Sequence, residues 1–237
     1  LMTSPRLLSR AWQPSRVARH MLDQGFAILP GVSPLVMTRC RELLHAPVEG
    51  GGLRHLFGHF PQLSEWLAEL SIHASRICAE PSLLCRSILF DKTPAANWKV
   101  GWHQDVTLAC AERFARPGWH NWTLKDGLPH VQPPVEVLEG MITLRLHLDA
   151  CRSDNGPLRV LPGSHLSGRL SQPDIQERLA TLEPVDCVCE AGQVLAMKPL
   201  LVHSSGSATR PKRRRVVHLE FCPGRLLPPE FKRIDPV

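Results

Sequence analysis

The 237-residue chain contains no tyrosine, and aromatic residues make up only 5% of it. A large aromatic interaction surface is therefore excluded. No apolar run approaches the roughly 18–20 residues that a membrane-crossing helix requires. The basic start, Leu1 to Arg19, is broken by Pro5 and Pro14 and has neither the apolar centre nor the small-residue cleavage site of a secretory signal. A cytoplasmic protein is the expectation. The eight cysteines (40, 78, 85, 110, 151, 187, 189 and 222) form no CxxC pair, which fits buried reduced thiols better than a disulfide frame or a zinc cage. Cys187 and Cys189 alternate along one strand and read as inert.

What is present is ordinary globular composition: 43% hydrophobic, 21% charged and a net charge of +6. The basic balance (pI near 9.1) is compatible with nucleic acid, a membrane surface or an active site built for acidic small molecules. No recognised nucleic-acid motif or clustered aromatic platform accompanies it, so neither nucleic acid nor membrane is expected as a partner. Twenty-two prolines predict many turns and short elements.

The helical signals come first. Ser15–Gln24 is amphipathic and stops at Gly25, and Phe26–Leu29 is a short apolar strand. Ser33-Pro34 opens a helix to about Leu44, and Pro61–Glu80 carries Leu63, Trp66, Leu67, Leu70 and Ile77 at helical spacing. From Leu84 the period changes. Strands are expected at Leu84–Phe90, Met141–Leu148, Leu158–Leu161, Val185–Val188, Val194–Met197 and Val216–Phe221, without helices between successive pairs. That pattern predicts a sandwich or barrel rather than a parallel sheet. One domain over 1–237 is expected, with mostly helical support over 1–82 and a β core over 83–222. The irregular stretch 109–139 is a candidate lid over the site, because loops of that length in compact domains are usually functional.

Twelve histidines must be sorted by spacing. His103-Gln104-Asp105 is an H-x-D triplet in which an imidazole and a carboxylate two positions apart project to one side. Two histidines and one carboxylate on one octahedral face make the ligand set of non-haem Fe(II) oxygenases, with open positions left for other ligands. His203, after Lys198–Val202, is the best placed third donor. A second triplet, His147-Leu148-Asp149, shows that the triplet alone is weak evidence. Strand alternation would put Thr143, Arg145, His147 and Asp149 on one face, with His147 and Asp149 read as structural. His165 also reads as a structural hydrogen-bonding residue. Trp98 and Trp102 are candidates for either pocket wall or core. Lys92 and Lys99 read as solvated lysines, with an anionic substrate as the alternative.

Three blocks decide the matter: Gly101–Asp105, Asp154–His165, and Pro199–His203 with Arg214 eleven residues beyond His203. Over about Phe26 to Phe221 the chain resembles the phytanoyl-CoA dioxygenase family, which includes the ectoine hydroxylases and has a double-stranded β-helix core related to jelly rolls and cupins. The resemblance implies an Fe(II)- and 2-oxoglutarate-dependent oxygenase with O2 as second cosubstrate. His103, Asp105 and His203 would hold iron, and Arg214 would grip the distal carboxylate of 2-oxoglutarate. Ser205 and Thr143 fall at positions that contact the same cosubstrate. Arg145 departs from the aromatic or small residues of relatives and reads as a second carboxylate contact, to cosubstrate or to substrate. Related halogenases replace the carboxylate ligand by a small residue, so Asp105 predicts hydroxylation or desaturation rather than chlorination. In the strand after Arg214, alternation sends Arg214, Val216, His218 and Glu220 to one face, and Lys212, Arg213 and Arg215 are expected in solvent. The expected partner is a small metabolite, with an acidic one as the alternative suggested by the lysines. A competing reading keeps the fold as a non-catalytic metal- or ligand-binding protein. Oligomeric state is not legible.

Overall fold

The computed structural model describes residues 14–234, so most of the basic start lies outside the described residues. The chain opens with α1 (Pro14–Gln24) and β1 (Phe26–Leu29). They are joined at Gly25, whose φ of 81° lies in the left-handed region. A Cβ there would stand 2.5 Å from the His165 ring, so only glycine fits. Next comes α2 (Pro34–Leu43), capped by the Ser33 side chain, which accepts from the Val36 N–H at 3.3 Å. Then follow β2 (Gly52–Arg54), α3 (Leu56–His59), α4 (Gln62–Trp66) and α5 (Ala68–Cys78). The single helix expected over Pro61–Glu80 is thus interrupted at Leu67, whose N–H is shared between the Leu63 and Glu65 carbonyls. The bend keeps Leu63, Leu67, Leu70 and Ala74 all within 2% of full burial.

The β core consists of β3 (Ser82–Lys92), β4 (Val100–His103), β5 (Leu108–Ala109), β6 (His120–Lys125), β7 (Leu128–Gln132), β8 (Ile142–His147), β9 (Leu158–Val160), β10 (Val185–Cys187), β11 (Val194–Met197), β12 (His203–Ser205) and β13 (Arg214–Pro223). Two short helices interrupt it, α6 (Val135–Gly140) and α7 (Gln172–Thr181). The larger sheet runs β1-β11-β8-β13-β3-β2 and the smaller β10-β9-β12-β4, every pairing antiparallel. This is a double-stranded β-helix.

Alternation divides the larger sheet into two unlike faces. Leu89, Leu144, Leu146, Val217, Leu219 and Phe221 lie in one apolar cluster with Met21, Cys40, Leu67 and Leu70 of the helices. Each such side chain, taken fully out of water, contributes about 1.5–3 kcal/mol, so this face is the helical support. The other face carries Arg86, Ile88, Phe90 and Lys92 on β3, Thr143, Arg145 and His147 on β8, and Arg214, Val216, His218 and Glu220 on β13. Those residues face the smaller sheet and define the site.

Segment 109–139 is not irregular. Its strands β5, β7 and β6 form a three-stranded sheet closed by Asp126-Gly127, with φ values of 51° and 76°. Two left-handed residues in a row make the two-residue turn that matches strand twist, and Asp-Gly is its usual sequence. Beside it Phe114 packs on Trp119 and Trp122, both with ring centroids 5.3 Å away. All eight cysteines are free. No described helix is long and apolar enough to cross a membrane.

Candidate active site

The metal-ligand candidates converge from two strands and the turn that follows one of them. β12 and β4 pair so that His203 lies opposite His103, with ring centroids 4.2 Å apart. The Nδ1 of each ring lies 2.8 Å from a carbonyl two residues earlier, Gly101 for His103 and Leu201 for His203. A carbonyl can only accept, so Nδ1 carries the proton and Nε2 presents a lone pair. Those Nε2 atoms lie 3.8 Å (His103) and 3.6 Å (His203) from the Asp105 carboxylate oxygens. The three donor atoms all lie within 4.8 Å of one another. Two neutral imidazoles and one carboxylate on one side of a point fit a ferrous ion with open coordination positions.

Asp105 lies past the end of β4, and the intervening residue explains why it still faces His103. Gln104 points the other way, is 7% exposed, and donates to the carbonyls of Gly168 (2.8 Å) and Leu200 (2.7 Å). Its amide oxygen accepts from Leu170 N–H at 2.8 Å. The Asp105 N–H also donates to the Pro199 carbonyl at 2.9 Å, tying the triplet to the segment that leads into His203. Burial opposes ionisation of Asp105, but His203, Arg86, His218 and His103 together hold its carboxyl well below the usual range. Burial pushes His203 down to about 4, which keeps its lone pair available at neutral pH.

Beside the triad lies a cavity of about 180 Å³ whose wall includes Lys92, Trp98, Arg145, Ser205 and Arg214. Arg214 is 5% exposed; its Nη1 meets the Cys151 sulfur at 3.6 Å, and its Nε has no partner among the described residues. Lys92, directly opposite Arg214 on β3, is buried rather than solvated. Its ammonium donates to Ser205 Oγ at 3.0 Å and to the Gly206 carbonyl at 2.9 Å, and stands 5.2 Å over the Trp98 ring. Burial and then the Arg214 charge lower its pKa to about 8. Lys99 is exposed as expected. Thr143 lies on the inner face but not on the cavity wall, and its buried hydroxyl has no partner.

Arg145 also reaches the cavity. Its Nη1 donates to His218 Nδ1 at 2.7 Å, and its guanidinium carbon lies 5.3 Å from the Phe90 ring centroid. Because arginine can only donate, His218 must carry its proton on Nε2, which donates to Glu220 at 2.9 Å. Glu220 is in turn paired with Arg86. This buried chain, Arg145–His218–Glu220–Arg86, has no counterpart in the sequence reading beyond the inward alternation. Its signal was charged residues at even spacing in otherwise apolar strands.

Several expectations need correction. Arg215 is buried and Arg213 only partly exposed, neither free in solvent as expected. Arg213 pairs with Asp91 at 2.8 Å and caps the His45 and Ala46 carbonyls, and Arg215 pairs with Asp149 at 2.8 Å and bonds the Arg41 and Leu44 carbonyls. Their strand presses on the end of α2, whose last carbonyls need donors. For the same reason Asp149 does not share a face with His147: β8 ends at His147, and Asp149 turns to Arg215. His147 remains buried on the inner face with neither ring nitrogen partnered. His165 Nε2 donates to the Leu22 carbonyl at 3.1 Å, a structural tie. Trp102 packs against the buried cluster of Leu161, Ile175 and Val202 and does not line the cavity. Within segment 109–139, His130 is buried and bonded to the Leu128 carbonyl, whereas His120 is exposed.

This fold with this donor set beside buried guanidinium groups defines a 2-oxoglutarate-dependent non-haem iron dioxygenase. The family Phytanoyl-CoA dioxygenase (PhyH) matches residues 23–216, and the chain belongs to it. No curated protein matches the sequence. Among solved structures, EctD from S. alaskensis with 2-oxoglutarate and 5-hydroxyectoine is 17% identical with a TM-score of 0.70, covering 100% of this chain and 87% of that one. EvdO2 from Micromonospora carbonacea var. aurantiaca complexed with 2-oxoglutarate is 19% identical at a TM-score of 0.65, covering 88% and 90%. The non-heme alpha ketoglutarate dependent carbocyclase SnoK from nogalamycin biosynthesis is 16% identical at 0.66, covering 93% and 87%. At these identities the likeness is one of fold.

Proposed function

We propose that this protein hydroxylates or desaturates an unactivated C–H bond of a small metabolite. Hydroxylation would consume 2-oxoglutarate and O2 and release succinate and CO2, one oxygen atom going to the product and one to succinate. The observation that carries the reading is the convergence of three donors with free lone pairs, His103 Nε2, His203 Nε2 and the Asp105 carboxylate, on one wall of a cavity that also holds unpaired Arg214. Bound iron would supply O2 activation and the oxidising power for C–H cleavage.

The chain's own residues then divide the remaining work. His103, Asp105 and His203 hold the metal and fix which directions stay open. Arg214 offers a planar fork to the distal carboxylate of 2-oxoglutarate. Ser205 and Lys92 stand beside it, Lys92 adding a second cation from the adjacent strand. Thr143, which lies off the cavity wall, takes no direct part in this division. Trp98, Phe90 and Leu158 supply apolar wall that limits water at the reacting carbon. The hairpin of β6 and β7 would cover the site, and limited proteolysis at its turn should slow when 2-oxoglutarate and substrate are present.

The test is succinate formation from 2-oxoglutarate by the purified protein with added Fe(II) and ascorbate. Turnover supports the reading; none, under conditions where both ligands bind, would make the protein a binding module of the same fold. With saturating chloride, no chlorinated product should form, because Asp105 fills the position a halide would need.

A further inference from the structure

Three cations reach this cavity without a carboxylate partner among the described residues: Lys92, Arg145 and Arg214. The other buried arginines are matched, Arg86 on the same wall by Glu220 and Arg215 by Asp149, and half-buried Arg213 is matched by Asp91. A buried charge left unpaired is costly, so a group kept in that state is held for a ligand of opposite sign. The wall carries four cations, Arg86, Lys92, Arg145 and Arg214, against Asp105, with Glu220 paired behind Arg86. That leaves a surplus of two positive charges, to which a ferrous ion adds two. Dianionic 2-oxoglutarate removes only two, so an excess persists in the loaded site.

Position decides which cation is left over. Lys92 and Arg214 face each other across β3 and β13 and can share one distal carboxylate. Arg145 lies on the other side of β13, in register with His218, four residues from Arg214. Along a strand that separation is roughly 13 Å between backbones. Among the described residues its one hydrogen-bond partner is a neutral imidazole, fixed in turn by Glu220, and its Nε is buried with no acceptor. Arg145 is 8% exposed, so it is neither solvated nor neutralised.

We propose that Arg145, braced by the His218–Glu220–Arg86 chain, is the anchor for a carboxylate or phosphate group on the primary substrate, and that this anion selects which C–H meets the oxidant. The proposal rests on the oxygenase reading and narrows its substrate to acidic small molecules. It settles the choice between cosubstrate and substrate at Arg145 in favour of substrate.

The experiment uses Fe(II)-loaded protein with saturating 2-oxoglutarate under anaerobic conditions, titrated calorimetrically with matched probes. These are benzoate and benzamide, hexanoate and hexanamide, glutarate and glutaramide, and glycerol phosphate and glycerol. The acids should bind and raise the melting temperature, and their neutral counterparts should not. Arg145→Gln should weaken acid binding roughly tenfold to a hundredfold, the loss expected for a charge-assisted hydrogen bond, and Arg145→Lys should recover most of it. Affinity for 2-oxoglutarate, measured without any probe, should stay within twofold in both variants. Neutral probes binding as well as acids, or no acid binding at all, would overturn the proposal using unmutated protein alone. So would a tenfold loss of 2-oxoglutarate affinity in Arg145→Gln, which would make Arg145 a cosubstrate contact. Failure of the unmutated protein to bind Fe(II) and 2-oxoglutarate would instead strike at the oxygenase reading, a separate result.

Discussion

Arg213, Arg214 and Arg215 are consecutive, yet the sheet sends them to two environments with opposite chemistry. Arg213 and Arg215 pass to the helical side, where each meets a carboxylate, Arg215 also bonding carbonyls at the end of α2 and Arg213 carbonyls of the segment just after it. Arg214 passes to the inner side, where it finds a thiol, another cation and, among the described residues, no carboxylate partner. The same residue type thus ties two layers together on one face and, among the described residues, stands without a counter-charge on the other. An arginine's role here follows from whether the fold supplies its counter-charge.

The sharpest way to break this comparison is to neutralise its two sides separately. Arg214→Gln should raise the KM for 2-oxoglutarate about a hundredfold, since two charge-assisted bonds at about 1.5 kcal/mol each are lost. Its melting temperature should hold or rise, because an unpaired buried cation is removed. Arg215→Gln should do the reverse. Breaking its pair with largely buried Asp149 should cost about 3 kcal/mol of stability, read by denaturant titration, with the KM for 2-oxoglutarate unchanged within twofold.

A smaller effect sharpens the inner side. Lys92→Met should raise the KM for 2-oxoglutarate about tenfold, one charge-assisted contact. Smallest is the pH signature of the same residue. Because its folded pKa is lowered to about 8, below the ordinary lysine value near 10.4, the unfolded chain binds more protons between those limits. The free protein should therefore gain stability as pH rises through that window. Affinity for 2-oxoglutarate should fall over the same range as the ammonium is lost. A stability curve that declines from pH 8 to 10, with Lys92→Met showing the same decline, would contradict the assignment.

Much of this was legible in the sequence. The strands from Leu84 onward, the Ser33-Pro34 helix start and the Gly25 stop follow from local periodicity and capping, and local rules govern them. The convergence of His103, Asp105, His203 and Arg214 on one cavity was legible because their spacing follows a known pattern. The misses arose where a residue's environment is set by distant chain. Lys92 looked like a surface lysine because its burial depends on Ser205 and Gly206, more than a hundred residues away. Arg213 and Arg215 looked solvated because the helix end they cap is further still. The Asp126-Gly127 turn was a different kind of miss: its signal was local and plain, but the surrounding prolines and glycines suggested one long irregular loop.

Pairing of β4 with β12 carries a last consequence. β4 is an edge strand, held along one side only, and it brings His103 opposite His203. An ion gripped by both imidazoles would act as a rivet through that seam, pinning the rim of the smaller sheet to its interior. Slippage by a single residue would turn His103 away and release the ion, so loading with metal proofreads the alignment of the strands. Amide hydrogens of residues 100–103 should accordingly exchange faster after chelation, while those of β8 and β13 keep their protection.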